Sequence, residues 1–277
     1  KLFNEVQCWI SDPETPYSAQ KVYSGWISDY EPIITQTQEK VKVNLLPYIT
    51  ELTDNYWIES GSTTFSFTST DPANMVRNAI ANKFNTVGGK IGSQSDAFPD
   101  ILSVGKELDY TYKSQTYRDV LDKAANLGTV GTYWFVDPDN LVHYRPRSES
   151  VIHQFTLGED IVATNIVKDG KDIANVAVGM FGIPSGDTDP LFISFGSESG
   201  GYDGSKIQYG KRTKFFTDER ITNLSTAYNL MGTYLDYYNA PFVTAEVVIG
   251  DHVYDIESIQ PGDTAQIIDP LSGDRLI

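Results

Sequence analysis

Residues 116–144, TYRDVLDKAANLGTVGTYWFVDPDNLVHY, change hydrophobic period once, and that change organises the reading of the whole chain. Tyr117, Val120, Leu121, Ala124 and Leu127 recur at the spacing that lines one face of an α-helix. Thr116 with Asp119 forms a capping-box pattern at its start, and Gly128 is placed to end it in the left-handed conformation. Arg118/Asp122 and Asp119/Lys123 are i,i+4 pairs for the wet face. Beyond Gly131 the period drops to two: Thr132–Val136 and Leu141–Tyr144 are β-branched, aromatic or aliphatic, and Asp137-Pro138-Asp139-Asn140 between them is a turn. A helix with one apolar stripe and a hairpin can bury a core between them. Nothing in this unit carries a catalytic pattern.

Outward toward the N-terminus, three alternating runs predict strands at Asn4–Ile10, Lys21–Tyr30 and Lys40–Leu46. Gly25 inside the second predicts a bulge or a close backbone approach. Three amphipathic strands in succession imply an antiparallel sheet or a small barrel. Thr63–Thr68 is a further short strand. Asp71-Pro72 then signals a helix start, and the helix runs to about Phe84 with Met75, Val76, Ala79, Ile80 and Phe84 inward. The Gly/Ser-containing stretch Val87–Pro99 interrupts the pattern, and Leu108–Tyr112 resumes an extended one. Residues 61–150 therefore read as an α/β module.

Toward the C-terminus, Ile161–Val167, an Asp169-Gly170 turn and Ile173–Gly182 read as successive strands. Residues 182–210 form a long Gly-, Ser- and Asp-rich excursion around a short strand, Leu191–Phe195. A helix at 223–238 has Leu224, Ala227, Met231, Tyr234, Leu235 and Tyr238 on one side and stops at Ala240-Pro241. Phe242–Ile249, a Gly250-Asp251 turn and His252–Ile259 follow, and Pro261-Gly262 is a type II turn into Thr264–Ile268.

Length and composition bound the function. At 277 residues the chain is long enough for two or three packed units, and its 12% aromatic content is dominated by 17 tyrosines. One cysteine, Cys8, excludes an internal disulfide and any multi-cysteine metal site, and is expected as a small apolar strand residue. The net charge of −16 argues against a surface that grips phosphates, and equally suits a wall past which DNA slides without sticking. No apolar run reaches the ~18 residues of a membrane-span candidate, and no charged-then-apolar leader precedes the first strand pattern. The chain opens on Lys1 directly in that pattern, so a fragment or processed product is expected.

Motifs that could carry chemistry fail in detail. Asp137 and Asp139 match the first two positions of a calcium loop, but Leu141, Val142 and Ser148 stand where a ligand, a glycine and a bidentate glutamate are needed. A plain hairpin turn is the reading retained. His143, His153 and His252 show no metal-ligand spacing, and Gly88-Gly89-Lys90 and Gly204-Ser205-Lys206 lack the phosphate-loop spacing. Asp218/Glu219 and Glu159/Asp160 could split their pKa values for acid/base work, yet with 37 acidic residues adjacent pairs arise by chance. Trp9, Trp26 and Trp57 could present rings to sugars, against the competing reading as core or interface residues. No catalytic, cofactor-binding or metal residue is assigned, no cofactor is expected, and the chain is read as not an enzyme.

The order of these pieces resembles the hub proteins of bacteriophage tails: the N-terminal part of siphophage tail-tip proteins and the baseplate hubs of contractile tails and secretion machines. The resemblance rests on Tyr23-Ser24-Gly25-Trp26-Ile27, on 39–46, on the helix at 71–84, on the helix-plus-hairpin at 116–144, on 172–179, and on the closing helix with Ala240-Pro241 and 259–267. It implies an α+β, predominantly antiparallel β fold with two β-barrel-like domains joined through a small helix-plus-hairpin α/β module. Residues 1–60 would be the first barrel-like domain, incomplete at its N-terminus, 61–150 the module, and 151–277 the second barrel-like domain. It further implies a structural hub of a tail tip or baseplate in the virion: a homotrimer forming a ring that joins the tail tube to the tip. Tube, distal tail and tape-measure proteins would be its partners, and DNA would pass the lumen without specific binding. The alternative is a carbohydrate-binding or glycan-hydrolysing module. An adhesion domain of a monomeric β-sandwich type is a third possibility.

Overall fold

The structure, a computed structural model, describes residues 4–10, 19–34, 39–58, 61–91, 100–148, 150–196, 202–249, 258–269 and 275–276. The elements run β1 (Glu5–Ile10), β2 (Gln20–Ile34), β3 (Glu39–Pro47), α1 (Thr50–Asp54), β4 (Thr64–Thr70), α2 (Pro72–Thr86), β5 (Leu108–Lys113) and α3 (Tyr117–Leu127). They continue with β6 (Tyr133–Val136), β7 (Val142–Arg145), β8 (Val151–Thr156), β9 (Ile161–Asp169), β10 (Val176–Phe181), β11 (Phe192–Phe195), α4 (Asp203–Tyr209), β12 (Thr213–Asp218), α5 (Leu224–Tyr238), β13 (Phe242–Ile249), β14 (Thr264–Ile268) and β15 (Arg275–Leu276).

Helix α3 is the hub of the packing. Thr116 Oγ1 accepts from Asp119 N–H at 3.1 Å while Asp119 accepts from Thr116 N–H at 3.0 Å, so the capping box forms as its spacing predicts. The buried stripe Tyr117, Val120, Leu121, Ala124, Leu127 meets α1, α2, α5 and β6. The hairpin β6–β7 lies against it, and Tyr144 donates from its hydroxyl to the Ala124 carbonyl at 2.8 Å. Two details of the end and the wet face differ from expectation. Gly128 is extended (φ −68°, ψ −161°), and glycine is needed there because a Cβ would run into Thr132. Lys123 turns away from Asp119 to Asp218, 2.7 Å away on β12, while Arg118 and Asp122 keep their pair at 3.6 Å.

Around this helix the core is continuous from Tyr48 to Leu235. It includes Ala174, Ala177, Phe181 and Ile193 as well as α2, β5 and α5. The middle module therefore shares its interior with the β10–α5 region. Asp71 caps α2 by accepting from Ala73 N–H at 2.8 Å, with Pro72 at the first turn. Phe84, predicted inward, is exposed, and its neighbour Lys83 is fully buried in its place. Asn223 caps α5, accepting from Ser225 and Thr226, and its amide donates to Asp109 of β5 at 2.7 Å. Only part of the predicted face of α5 is buried: Ala227, Met231 and Leu235 are, whereas Leu224 is exposed.

Pairing among the described strands is mostly antiparallel, with two parallel exceptions, β10–β12 and β8–β14. The strands form six separate two- and three-stranded sheets, none closed into a barrel among the described residues. β1-β2-β3 is an antiparallel meander. Gly25 allows β3 to approach, since a Cβ there would collide with the Leu46 carbonyl, as the close-approach reading requires. The Asp169-Gly170 turn does not fold β9 back on β10. Ala174 N–H bonds to the Tyr238 carbonyl and Asn175 N–H to Arg212, which carries the chain into the β11-β10-β12 sheet and leaves β9 to pair with β13. β12, β15, α1 and α4 were not predicted; β12 lies in a segment with no alternation long enough to read. The returning strand expected at 252–259 lies largely outside the described residues. Gly262, at φ +85°, supplies the type II turn expected after Pro261.

Candidate assembly surfaces

The β2–β3 ribbon extends past the core at its far end. Cross-strand partners share a face of a sheet, so Pro32 opposite Val41 and Tyr30 opposite Val43 lie on one side, with Ile34. All four named here that belong to the large apolar types, Tyr30, Ile34, Val41 and Val43, are exposed, Ile34 to 75%. The other side carries Glu31, Ile33, Lys40 and Lys42. The strand alternation is amphipathic as predicted, and no described part of the chain covers the apolar side.

A second ribbon, β9–β13, is a two-stranded sheet with one free edge on each strand among the described residues. Ile166 and Val167 are adjacent, hence on opposite faces, and both are exposed; Val162, Val243 and Val248 are exposed too. Each apolar side chain of this size removed from water contributes about 1.5–3 kcal/mol. Contiguous exposed apolar strands of this kind mark interaction surfaces.

Behind the ribbons the polar candidates are tied into the structure. Asp137 closes the β6–β7 turn by accepting from Asp139 N–H at 2.8 Å and Leu141 N–H at 2.9 Å, with Asn140 at φ +67°. This is the hairpin turn rather than an ion loop. Ser24 of β2 donates to Asn140 Oδ1 at 2.9 Å, and Lys21 pairs with Asp139, fastening the first sheet to that turn. His143 stacks on Phe135 at 4.4 Å and contacts Asp137 at 2.9 Å, whereas His153 contacts Asp263 at 2.9 Å between β8 and β14. His252 lies outside the described residues. No group of three His, Cys, Asp or Glu side chains among the described residues could hold a metal.

The glycine stretch 88–90 makes an anion cradle that the protein fills itself. Lys90 and Ile91 N–H groups donate to the Glu51 carboxylate at 3.0 and 3.3 Å, a Cβ at Gly89 would strike that carboxylate, and the buried Lys83 ammonium pairs with it and with the Ile91 carbonyl. Gly204-Ser205-Lys206 lies in α4, where Ser205 donates to the Asn239 carbonyl and Lys206 pairs with Asp203. Asp218 sits under Lys123 at 2.7 Å and Arg220 at 2.9 Å, with the Tyr110 hydroxyl at 3.4 Å. Burial raises its carboxyl, and the Arg220 and Lys123 bonds and charges outweigh that, leaving it below the usual carboxylate range. Burial, with the Asp218 charge beside it, pushes the Tyr110 hydroxyl well above the ordinary tyrosine range. Asp160 caps the tight 156–160 turn by accepting from Thr156 N–H at 2.7 Å.

Of the three tryptophans weighed as sugar platforms, Trp57 is buried, stacked on Phe65 at 4.4 Å with Tyr112 and Tyr117 around it. Trp26 is half-buried against Tyr48, and Trp9 is exposed on β1. A groove of about 790 Å³, which nothing in the sequence announced, runs between α3, the β6–β7 hairpin, β12 and α5. Tyr133, Trp134, Phe216, Tyr234, Tyr237 and Tyr238 line it. They come from segments about 100 residues apart, and only the fold brings them together.

No protein-family model matches the chain, and no curated protein matches it by sequence. Solved structures match by fold along nearly its whole length. A tail protein from Neisseria meningitidis MC58 aligns over 98% of this chain and 75% of its own, with TM-score 0.59 and 13% identity. The 43 kDa tail protein of prophage MuSo2 from Shewanella oneidensis aligns over 98% and 75%, with TM-score 0.60 and 12% identity. The prophage tail protein gp18 from Listeria monocytogenes EGD-e aligns over 99% and 78%, with TM-score 0.51 and 16% identity.

Proposed function

We propose that this protein is a structural component of a phage tail, acting as a hub at the tail tip or baseplate. The observation that carries the reading is the fold likeness to three tail proteins over at least 98% of the chain. The uncovered apolar sides of the β2–β3 and β9–β13 ribbons support it, because a ring-forming subunit needs such surfaces and a monomeric enzyme does not.

In this reading three copies assemble head to tail into a ring. The open β1-β2-β3 sheet and the β9–β13 ribbon are the barrel-like domains, completed by neighbouring subunits, and the α3 unit is the rigid module between them. The ring joins the tail tube to the tip, and tube, distal tail and tape-measure proteins are its neighbours in the virion. Its role is mechanical, without turnover. The charge of −16 gives the lumen a repulsive wall, so DNA passes without binding. The saccharide-binding reading loses one of its three platforms, since Trp57 is enclosed in the core. Negative-stain electron micrographs of the purified protein test the proposal. Rings with a central opening are expected, and a uniform field of compact single subunits would refute the hub.

A further inference from the structure

The aromatic groove borders the β9–β13 ribbon only at its start, where Tyr237 packs on Phe242 at 5.3 Å, and the hub reading makes no use of it. Two strand edges run along it. β12 pairs with β10 on one side and β6 with β7 on one side; among the described residues neither has a partner on the other. Phe216, Thr217 and Asp218 of β12 and Tyr133 and Trp134 of β6 form groove wall at those edges. An unpaired edge presents N–H and C=O groups at the spacing of an extended chain, which a polypeptide in strand conformation satisfies and a sugar or flat heterocycle does not.

Charge narrows the occupant further. Asp218 is committed to Lys123 and Arg220, and Asp263 at the far wall to His153. Arg147 lines the groove, and the Lys214 ammonium of β12 lies 5.4 Å from the Tyr234 ring beside it. Neither is in an ion pair among the described residues. In a chain of net charge −16, this groove thus has one cation without an ion pair, Arg147, in its wall and a second, Lys214, beside its tyrosine rings.

We propose that the groove docks an extended, acidic segment of a neighbouring protein by strand addition to the β12 edge. Its carboxylates meet Arg147 and Lys214, and its alternate apolar side chains enter between Trp134 and the tyrosines of α5. None of the exposed apolar ribbon residues named above lines the site, so the proposal holds whether or not the protein assembles into a ring.

A labelled peptide of alternating valine and glutamate, titrated against the protein by fluorescence anisotropy, tests this. Binding is expected, with added hydrogen-exchange protection at 213–218. The valine–lysine counterpart, and the acidic peptide N-methylated at alternate amides, are each expected to bind at least about tenfold more weakly. The double variant Arg147→Glu/Lys214→Glu should lose about the same factor while melting like the parent protein. Absence of binding, equal binding of the acidic and basic peptides, or undiminished binding after N-methylation would overturn the proposal. So would displacement of the peptide by a sulfated oligosaccharide, which would make the groove a glycan site. Protection at 213–218 that rises with protein concentration alone would assign it to a second copy, and equally overturn it.

Discussion

Lys83→Met removes the cation that faces Glu51 and leaves a buried carboxylate with only the Lys90 and Ile91 amides for support. Breaking a buried ion pair from one side costs about 3 kcal/mol, more than the pair contributes over an apolar substitute. The single variant should therefore unfold in urea with stability reduced by about that amount. The double variant Glu51→Leu/Lys83→Met should recover most of it, and an unchanged single variant would show that the pair does not hold the 88–91 loop. Asp218 makes a pH prediction. Its carboxyl is held below the unfolded value of 3.8, so its contribution is full above that value and is lost as the pH falls through the lower folded one. Thermal melts from neutral pH downward should show Asp218→Asn less stable than the parent at neutral pH, with the gap closing in acid; a constant gap would mean that the Lys123–Arg220 cluster does not set the titration. Neither site could be read from the sequence. Hydrophobicity put Phe84 inward and gave no reason to bury Lys83, because the partner that makes a buried lysine tolerable sits 32 residues earlier. Asp218 looked like half of a chance pair with Glu219 for the same reason.

The β2–β3 ribbon carries the first prediction about assembly. Val41→Asp with Val43→Asp places carboxylates on its uncovered apolar side, outside the core, so the variant should keep the parent's circular dichroism and melting temperature. Its oligomeric mass should fall to that of one subunit; retained assembly would remove this ribbon from the interface. Individual elements were largely legible beforehand. Phe242–Ile249 and Thr264–Ile268 have the predicted bounds, and the capping signals placed the starts of α2 and α3. Pairing was not legible. β9 meets β13 across some 80 residues, and β14 meets β8 in parallel across more than 100, because register depends on the opposing surface and not on either strand alone. The aromatic groove stayed hidden for the same reason, being assembled from β6, β12 and α5.

For the molecule as a whole, one core joins the 61–150 module to β10 and α5, while the β2–β3 and β9–β13 ribbons expose apolar strands. A subunit built this way is rigid at its centre and incomplete at its margins, and self-association is the economical way to cover those margins. The net charge of −16 opposes indiscriminate aggregation, so closed assembly is expected rather than open polymers. Ring assembly fixes the stoichiometry. Light scattering of the purified protein over a concentration series measures it directly. A mass of three subunits, reached at the upper concentrations and lost in the ribbon variant, is the predicted result. A mass of one subunit, 30.8 kDa, at every concentration would contradict the account.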